Sequence, residues 1–449
     1  MSISAQTFIS ILTFAAVIHI VLGAVAYLIY VERKMAAYIQ DRIGPNRVGF
    51  DFGLPGLKFL RGMLGLGQPL ADGLKFLLKE DYAPDKVDKV LFTLAPMAII
   101  IPALIGFAII PWGGEIRVPS FSILGLLHVE GGPAVVAGLH ANIGIVYVLA
   151  VASLGVYGVT LAGYASNNKY SFLGGLRATA QMVSYEIPLG LSIMAALLLV
   201  GSLMPQDIID HQREHGWLLF AQPVAAVLFF IAILAEANRA PFDVAEAEQE
   251  LVGGYHTEYS SMRFALFFLA EYGHMVTSCA MFTLLFLGGW EPLPFISVFG
   301  AEAVTVGGGL MGVLGGLALV GAKLAVFLGK ALTLVAFMML IRWTIPRLRY
   351  DQIMMGAWQN VIPLSLAVVV VTSIMVYLRL DGLVPMFIAN VAIFGLLMLI
   401  LPILPKHNPN RKIPIYGSRF SPMPGEKVVT GVNPGLARED HPVHGTVQV

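Results

Sequence analysis

Residues 218–260 read LLFAQPVAAVLFFIAILAEANRAPFDVAEAEQELVGGYHTEYS. The first part, 218–236, is almost wholly apolar. At about 1.5 Å per residue, a helix of that length approaches the roughly 30 Å hydrocarbon thickness of a bilayer. The second part gathers Glu236, Asp243, Glu246, Glu248, Glu250 and Glu258 against Arg239 and His256. A lipid-length apolar run that ends in crowded carboxylates raises two questions, what fold carries it and what the acids do.

The fold follows from how often the apolar run recurs. Windows of similar length lie at 8–30, 90–111, 138–162, 182–203, 264–288, 322–341, 361–379 and 384–404, which with 218–236 makes nine. Of 449 residues 57% are hydrophobic and 12% charged, a composition that excludes an ordinary soluble domain. Only helices and closed barrels satisfy their backbone in lipid, and these windows have helix length. The expected fold is all-α, a polytopic integral membrane protein of about nine transmembrane helices. The first window, Phe8–Tyr30, lacks the basic start and small-residue cleavage site of a secretory signal and is read as a retained span. The Gly-rich stretch 301–321 is open between a longer seventh helix, a re-entrant piece and an outer loop.

Lys and Arg orient the helices, because they are retained near the cytoplasmic ends of spans. Loops 31–89, 163–181, 237–263 and 342–360 and the tail together hold 23 of the 28 basic residues, whereas the opposite loops hold Arg117, Arg213 and Arg379. The N-terminus is expected outside and the C-terminus in the cytoplasm. The chain is read as one membrane domain, 1–404, and an extended or disordered cytoplasmic tail, 405–449, rich in Pro, Gly and charge. Lys323 and Lys330 fall inside the seventh span. Lys323 is expected to snorkel outward. Lys330, about 18 Å from Arg342 along a helix, is open between a structural ion pair and a place on a proton path.

The first inner loop holds GLGQPLADGLKFLLKEDYAP. Leu66, Leu70, Leu74, Leu77 and Leu78 recur at helical spacing, while Asp72, Lys75 and Lys79 share another face, so an amphipathic helix in the membrane interface is expected. In the acidic stretch Pro241 stops the fifth span, and Asp243 with Glu246 has the spacing of a capping box. That accounts for two acids of the six. Asp243, Glu246 and Glu250 would share one helical face, and crowded carboxylates raise one another's pKa. Glu186 and Glu271, inside spans, extend the pattern into the membrane. A proton path from the inner face toward the membrane centre is one reading, and a solvated acidic loop the other.

Other chemistry is weakly signalled. His211 and His215 have the spacing of two metal ligands on one helix face, but no third ligand is evident and no metal is expected. His19, His140 and His274 read as hydrogen-bonded packing residues. The single Cys279 cannot hold an iron–sulfur cluster. No nucleotide-binding motif is present, and the zero net charge argues against nucleic acid.

Taken together, VERK, GPN, QPLADGLK, ASNNKYSFLGGLRATAQMVSYE, AEANRAPFDVAEAEQELVGGYHTEYS, FALFFLAEY and IRWTIPRLRYDQ closely resemble the quinone-site membrane subunits of respiratory complex I. That family comprises the H subunit of bacterial NADH-quinone oxidoreductase and chain 1 of mitochondrial NADH-ubiquinone oxidoreductase. The resemblance runs in order from about residue 25 to 365 and does not cover 112–135, 203–217, 290–320 or the end beyond about 380. The ninth span is similar to bacterial members. The resemblance implies a membrane subunit of a proton-pumping NADH:quinone oxidoreductase in a bacterial plasma membrane. It further implies a quinone chamber shared with the peripheral arm and lined by Glu32, Arg33, Arg42, Asp72, Lys169, Arg177, Arg239, Asp243, Glu246, Glu248, Glu250 and Arg342. Glu186, Glu236, Glu258 and Glu271 match the start of the family's buried carboxylate path. The chain itself would hold no cofactor. Quinone, ubiquinone or menaquinone, is the implied substrate, and flavin and iron–sulfur clusters belong to partner subunits. The implied partners are the peripheral-arm, small membrane and antiporter-like subunits of the complex. Two other readings remain, the homologous subunit of a membrane-bound hydrogenase or other non-NADH complex, and, more remotely, a secondary transporter.

Overall fold

A computed structural model describes residues 2–50, 61–123, 127–244, 248–296, 298–299, 304–305 and 310–400. Contacts divide the chain into a compact unit, Met1–Leu397, and a second, Met398–Val449. The tail 405–449 lies outside the described residues.

The membrane helices are α1 (Ala5–Ile39), α3 (Lys89–Ile105), α4 (Gly144–Ala165), α5 (Lys169–Val200), α8 (Pro223–Glu236), α10 (Ser261–Phe286), α11 (Leu310–Thr344), α13 (Ile362–Tyr377) and α14 (Leu383–Ile400). Between them lie α2 (Gln68–Leu78), α6 (Pro205–His215), α7 (Leu218–Ala221), α9 (Glu248–Leu251) and α12 (Tyr350–Met355). Eight of the described helices are long and apolar enough to cross a bilayer, counting the extension of α3 to Ile109 and the continuous run Tyr350–Tyr377.

The ninth expected span is shorter than its apolar run. Gln222 and Pro223 break residues 218–236 into the single turn α7 and the 14-residue α8. Proline has no N–H and clashes with the preceding turn, so it begins a helix rather than continuing one. At about 1.5 Å per residue α8 covers roughly 21 Å. Gln222 is fully buried and donates to Ala195 O at 3.0 Å. In the ambiguous region, Leu310 onward lengthens the seventh helix.

The structure also adds strands that the helical periodicity did not announce: β1 (Ser2–Ser4), β2 (Glu115–Val118), β3 (Phe121–Ile123), β4 (Leu127–Glu130), β5 (Gly132–Val135) and β6 (Val304–Thr305). They form two three-stranded sheets, ordered β1-β4-β3 and β5-β2-β6. β1 runs parallel to β4, and β6 parallel to β2 with Ile116 opposite Val304. Strands this short are fixed by partners distant in sequence, so local pattern underdetermines them.

Packing of the helices depends on small residues where backbones approach closely. A Cβ on Gly158 of α4 would stand 2.2 Å from Ile99 Cγ1 and 2.9 Å from Ile99 N of α3. The largest core cluster joins α1, α5, α8, α10, α11 and α13, with Phe229, Phe282 and Phe286 among its buried aromatics. α2 has its predicted helical form, and Leu70, Leu74, Leu77 and Leu78 remain exposed on it. Ser261 Oγ donates to Phe76 O and Lys79 O, both at 2.9 Å, and so ties the end of α2 to the start of α10.

Both intramembrane lysines are occupied structurally. Lys330 Nζ donates to Leu287 O at 2.6 Å, Gly289 O at 3.2 Å and Glu291 O, and lies 4.5 Å from the Trp217 ring centre. These carbonyls follow the C-terminus of α10, where a cation complements the helix dipole. Lys323 does not snorkel to the surface. It is 3% exposed, with its ammonium 5.6 Å from the Trp290 ring centre, an attraction that offsets part of its desolvation.

Candidate functional site

The chain after α8 is shaped by its helix end. Asn238 takes φ +48°, a left-handed conformation Asn tolerates, and the Arg239 N–H bonds Leu234 O at 3.2 Å. Gln181 of α5 pins the segment by donating to Ala235 O, Asn238 Oδ1 and Phe242 O at 2.8, 3.1 and 2.8 Å. Held this way, Arg239 is turned inward and is only 6% exposed.

Its guanidinium stands between two carboxylates from different helices. Nε lies 2.6 Å from Glu271 Oε1 of α10, and Nη1 3.4 Å from Glu32 Oε2 of α1. The face of the guanidinium sits 4.4 Å from the Tyr272 ring centre. Glu32 also accepts from Tyr272 Oη and from Arg342 Nη1, so α1, α10, α11 and the segment after α8 meet at one buried acid. Such a cluster tolerates burial because each charge has an opposite partner.

The acidic stretch is neutralised from elsewhere in the chain. Arg347 Nη2 lies 2.7 Å from Asp243 Oδ2, and Arg177 Nη1 2.7 Å from Glu250 Oε2. Among the described residues the helix in this stretch is Glu248–Leu251, and Asp243 and Val244 are not helical, so Asp243 neither caps it nor shares a helical face with Glu250. Asp243 is drawn instead to a cation more than a hundred residues away. Burial pushes its carboxyl above the ordinary carboxylate range, while Arg347, Arg342 and Arg239 pull in the opposite direction. Glu246 and the side chain of Glu248 lie outside the described residues.

The remaining chamber residues are spread along the same end. Arg33 pairs with Asp72 of α2 at 2.6 Å, and Lys169 lies 5.4 Å from the Tyr170 ring centre. Arg42 is exposed and Arg177 also stacks on Tyr350 at 5.6 Å. Arg347, absent from the sequence-derived set, joins the cluster. Its only sequence signal was a basic residue next to IRWTIP.

The four path carboxylates separate into different surroundings. Glu236 and Glu271 both line a partly open cavity of about 90 Å³ bounded by α3, α4, α5, α8 and α10. Glu186 accepts from Ser153 Oγ, and Glu258 accepts from Asn168 Nδ2 at 2.6 Å; neither lines that cavity. His274, expected to be a packing residue, places Nε2 3.6 Å from Glu236 Oε1. Among the described residues no group of three or more His, Cys, Asp or Glu is arranged to hold a metal.

A family model described as NADH dehydrogenase matches residues 12–373. The chain is 44% identical over 361 residues to the first of the NADH-quinone oxidoreductase H subunits of Geobacter sulfurreducens, covering 80% of this chain and 92% of that protein. It is 42% identical over 390 residues to the second such H subunit of Koribacter versatilis, covering 84% and 99%. Identity to the H subunit of Leptospira biflexa is 42% over 373 residues, covering 82% and 95%. With a family match across most of its length and relatives of this likeness, the chain belongs to the NADH dehydrogenase family of membrane subunits.

Proposed function

We propose that the chain forms the membrane side of a quinone chamber in a proton-pumping NADH-quinone oxidoreductase, together with the first segment of its buried proton path. The observation that carries this reading is the Arg239 guanidinium, which joins Glu32 at the chamber side to Glu271 on the cavity wall. Charge that changes near Glu32 when a quinone headgroup is reduced acts on a shared cation, and the effective dielectric there is low because the cluster is buried. A weaker hold by Glu32 leaves Arg239 more fully to Glu271, which alters the proton affinity of an acid that faces the cavity.

Three polar atoms in this cluster are buried without a well-formed hydrogen bond among the described residues: Arg239 Nε, which still faces Glu271 as an ion pair, Arg239 Nη2 and Asp243 Oδ1. Buried polar atoms are ordinarily paired, so they favour a bound water or a polar headgroup beside the cluster. The basic bias supports an orientation in a bacterial plasma membrane with the chamber on the cytoplasmic side, the N-terminus outside and the tail inside. Electrons reach the quinone from partner subunits that carry flavin and iron–sulfur clusters. The chain contributes cavity, cation and titratable groups, which bind, exclude water and hold protons.

The test is Glu271→Gln in the assembled complex. NADH oxidation by ferricyanide, which needs only the partner subunits, stays at the wild-type rate. Quinone-linked proton pumping falls at least tenfold. Pumping at the wild-type stoichiometry in a fully assembled Glu271→Gln complex would remove Glu271 from the path.

A further inference from the structure

We propose that His274 and Glu236 act as one proton-carrying pair on the wall of this cavity, with His274 as the proton-accepting partner. This rests on the proposed path and adds a residue to it.

The argument begins with where α10 points its polar side chains. Glu271, His274 and Ser278 follow one another at spacings of three and four residues, so they form a stripe on one helix face, and all three line the cavity. Glu236 reaches the same space from the end of α8. The walls from α3, α4 and α5 are apolar there, with Ile99, Ala103, Ala152 and Met182 among them. The titratable groups facing His274 are therefore Glu236, Glu271 and, from the turn Gly254–His256, Tyr255, with Arg239 behind Glu271.

A packing histidine needs no carboxylate beside it, and a fixed buried ion pair closes to a charge-assisted bond of about 2.7–2.9 Å. His274 does neither. Nε2 stands 3.6 Å from Glu236 Oε1 and 3.5 Å from Ser278 Oγ, a separation at which the proton is not locked between the two groups. At roughly 30 Å³ per water, the cavity of about 90 Å³ has room for about three water molecules. Water there would link the pair to Glu271.

The exchange balances simply. Imidazolium and carboxylate carry one proton between them with zero net charge. Transfer from Nε2 to Oε1 gives neutral imidazole and neutral acid, still at zero. Release of that proton to the cavity water leaves a net charge of −1, which a proton arriving by way of Glu271 restores. Each partner can hold the proton, the imidazole on nitrogen and the carboxylate on oxygen, so the pair can take one up and give it back without either group leaving its helix.

The experiment uses the whole complex in proteoliposomes, with His274→Asn, Glu236→Gln and the double variant, and His274→Gln as a second substitution of similar polarity. Asn and Gln keep a polar contact with Glu236 but carry no exchangeable charge. The expected result for His274→Asn is uncoupled quinone turnover within twofold of wild type. Protons pumped per NADH fall at least twofold at both pH 6 and pH 8, because Glu236 has lost the imidazole with which it shares a proton. The double variant pumps no worse than Glu236→Gln, since the two residues act as a unit. A wild-type stoichiometry from pH 6 to 8 in both His274 variants, with Glu236→Gln impaired, overturns the pair and leaves the carboxylate path standing. Wild-type pumping in Glu236→Gln as well overturns the path through this cavity.

Discussion

Arg239 is a buried cation held between two carboxylates, Glu32, which is buried with it, and Glu271, which is partly buried on the cavity wall. Removing one partner of such a cluster typically costs about 3–5 kcal/mol, since the opposing charges are left uncompensated in low dielectric. Arg239→Gln is therefore expected to abolish accumulation of the assembled complex on native gels. Arg239→Lys, which keeps the charge but not the forked geometry, should assemble with quinone turnover reduced at least tenfold. Asp243 gives a pH signature. Its carboxyl is held above the ordinary range by burial and pulled back by Arg347, so as pH falls it takes up a proton earlier than a surface aspartate and loosens its ion pair. The acid limb of quinone turnover should lie above about pH 4, the usual carboxylate region, and move further up in Arg347→Gln. An acid limb unchanged by that substitution would detach Asp243 from turnover. At this scale the sequence displayed the acids but not their partners. Six carboxylates in one stretch read as mutual repulsion, whereas the chain brings Arg177, Arg342 and Arg347 to the cluster from other loops. The neighbour of His274 was hidden for the same reason, because nothing within α10 announces that the end of α8 lies beside it.

Helices were more legible than their ends. Apolar length located the spans, since a hydrocarbon layer admits little else, but length alone missed that Gln222 and Pro223 divide the fifth. The contact between α3 and α4 offers a direct test of packing. Gly158→Ala places a methyl 2.9 Å from a backbone nitrogen, which no side-chain rotation relieves, and should sharply reduce folded protein in membranes. Gly155→Ala on the same helix meets nothing within 4 Å and should accumulate as wild type, a comparison readable by detergent-solubility and size-exclusion assays. At the other end of the bundle, Lys330→Met strips three carbonyls of their donor. Each unsatisfied buried group costs about 1–3 kcal/mol, so the thermal aggregation midpoint should drop while turnover per assembled complex stays within twofold. A loss of turnover without loss of stability would instead return Lys330 to the proton path.

Across the whole molecule, the asymmetry of basic residues makes a prediction independent of any single contact. A green fluorescent reporter fused at Ile400, after α14, should fluoresce, and an alkaline phosphatase fused there should be inactive, as the proposed orientation with that end in the cytoplasm requires. The opposite end is where sequence reading gave least. The strands between α3 and α4 and before α11 occupy segments with neither helical period nor any of the motifs quoted from the sequence, and they are short enough that only their pairing defines them. That pairing bears on biogenesis. β2 finds β6 only after the chain has threaded α4, α5, α8 and α10 into the membrane, so its edge stays bare through most of synthesis. The sheet β5-β2-β6 is thus completed late, and an added protease should cut residues 115–118 in nascent chains arrested before residue 304 but spare them once β6 has emerged.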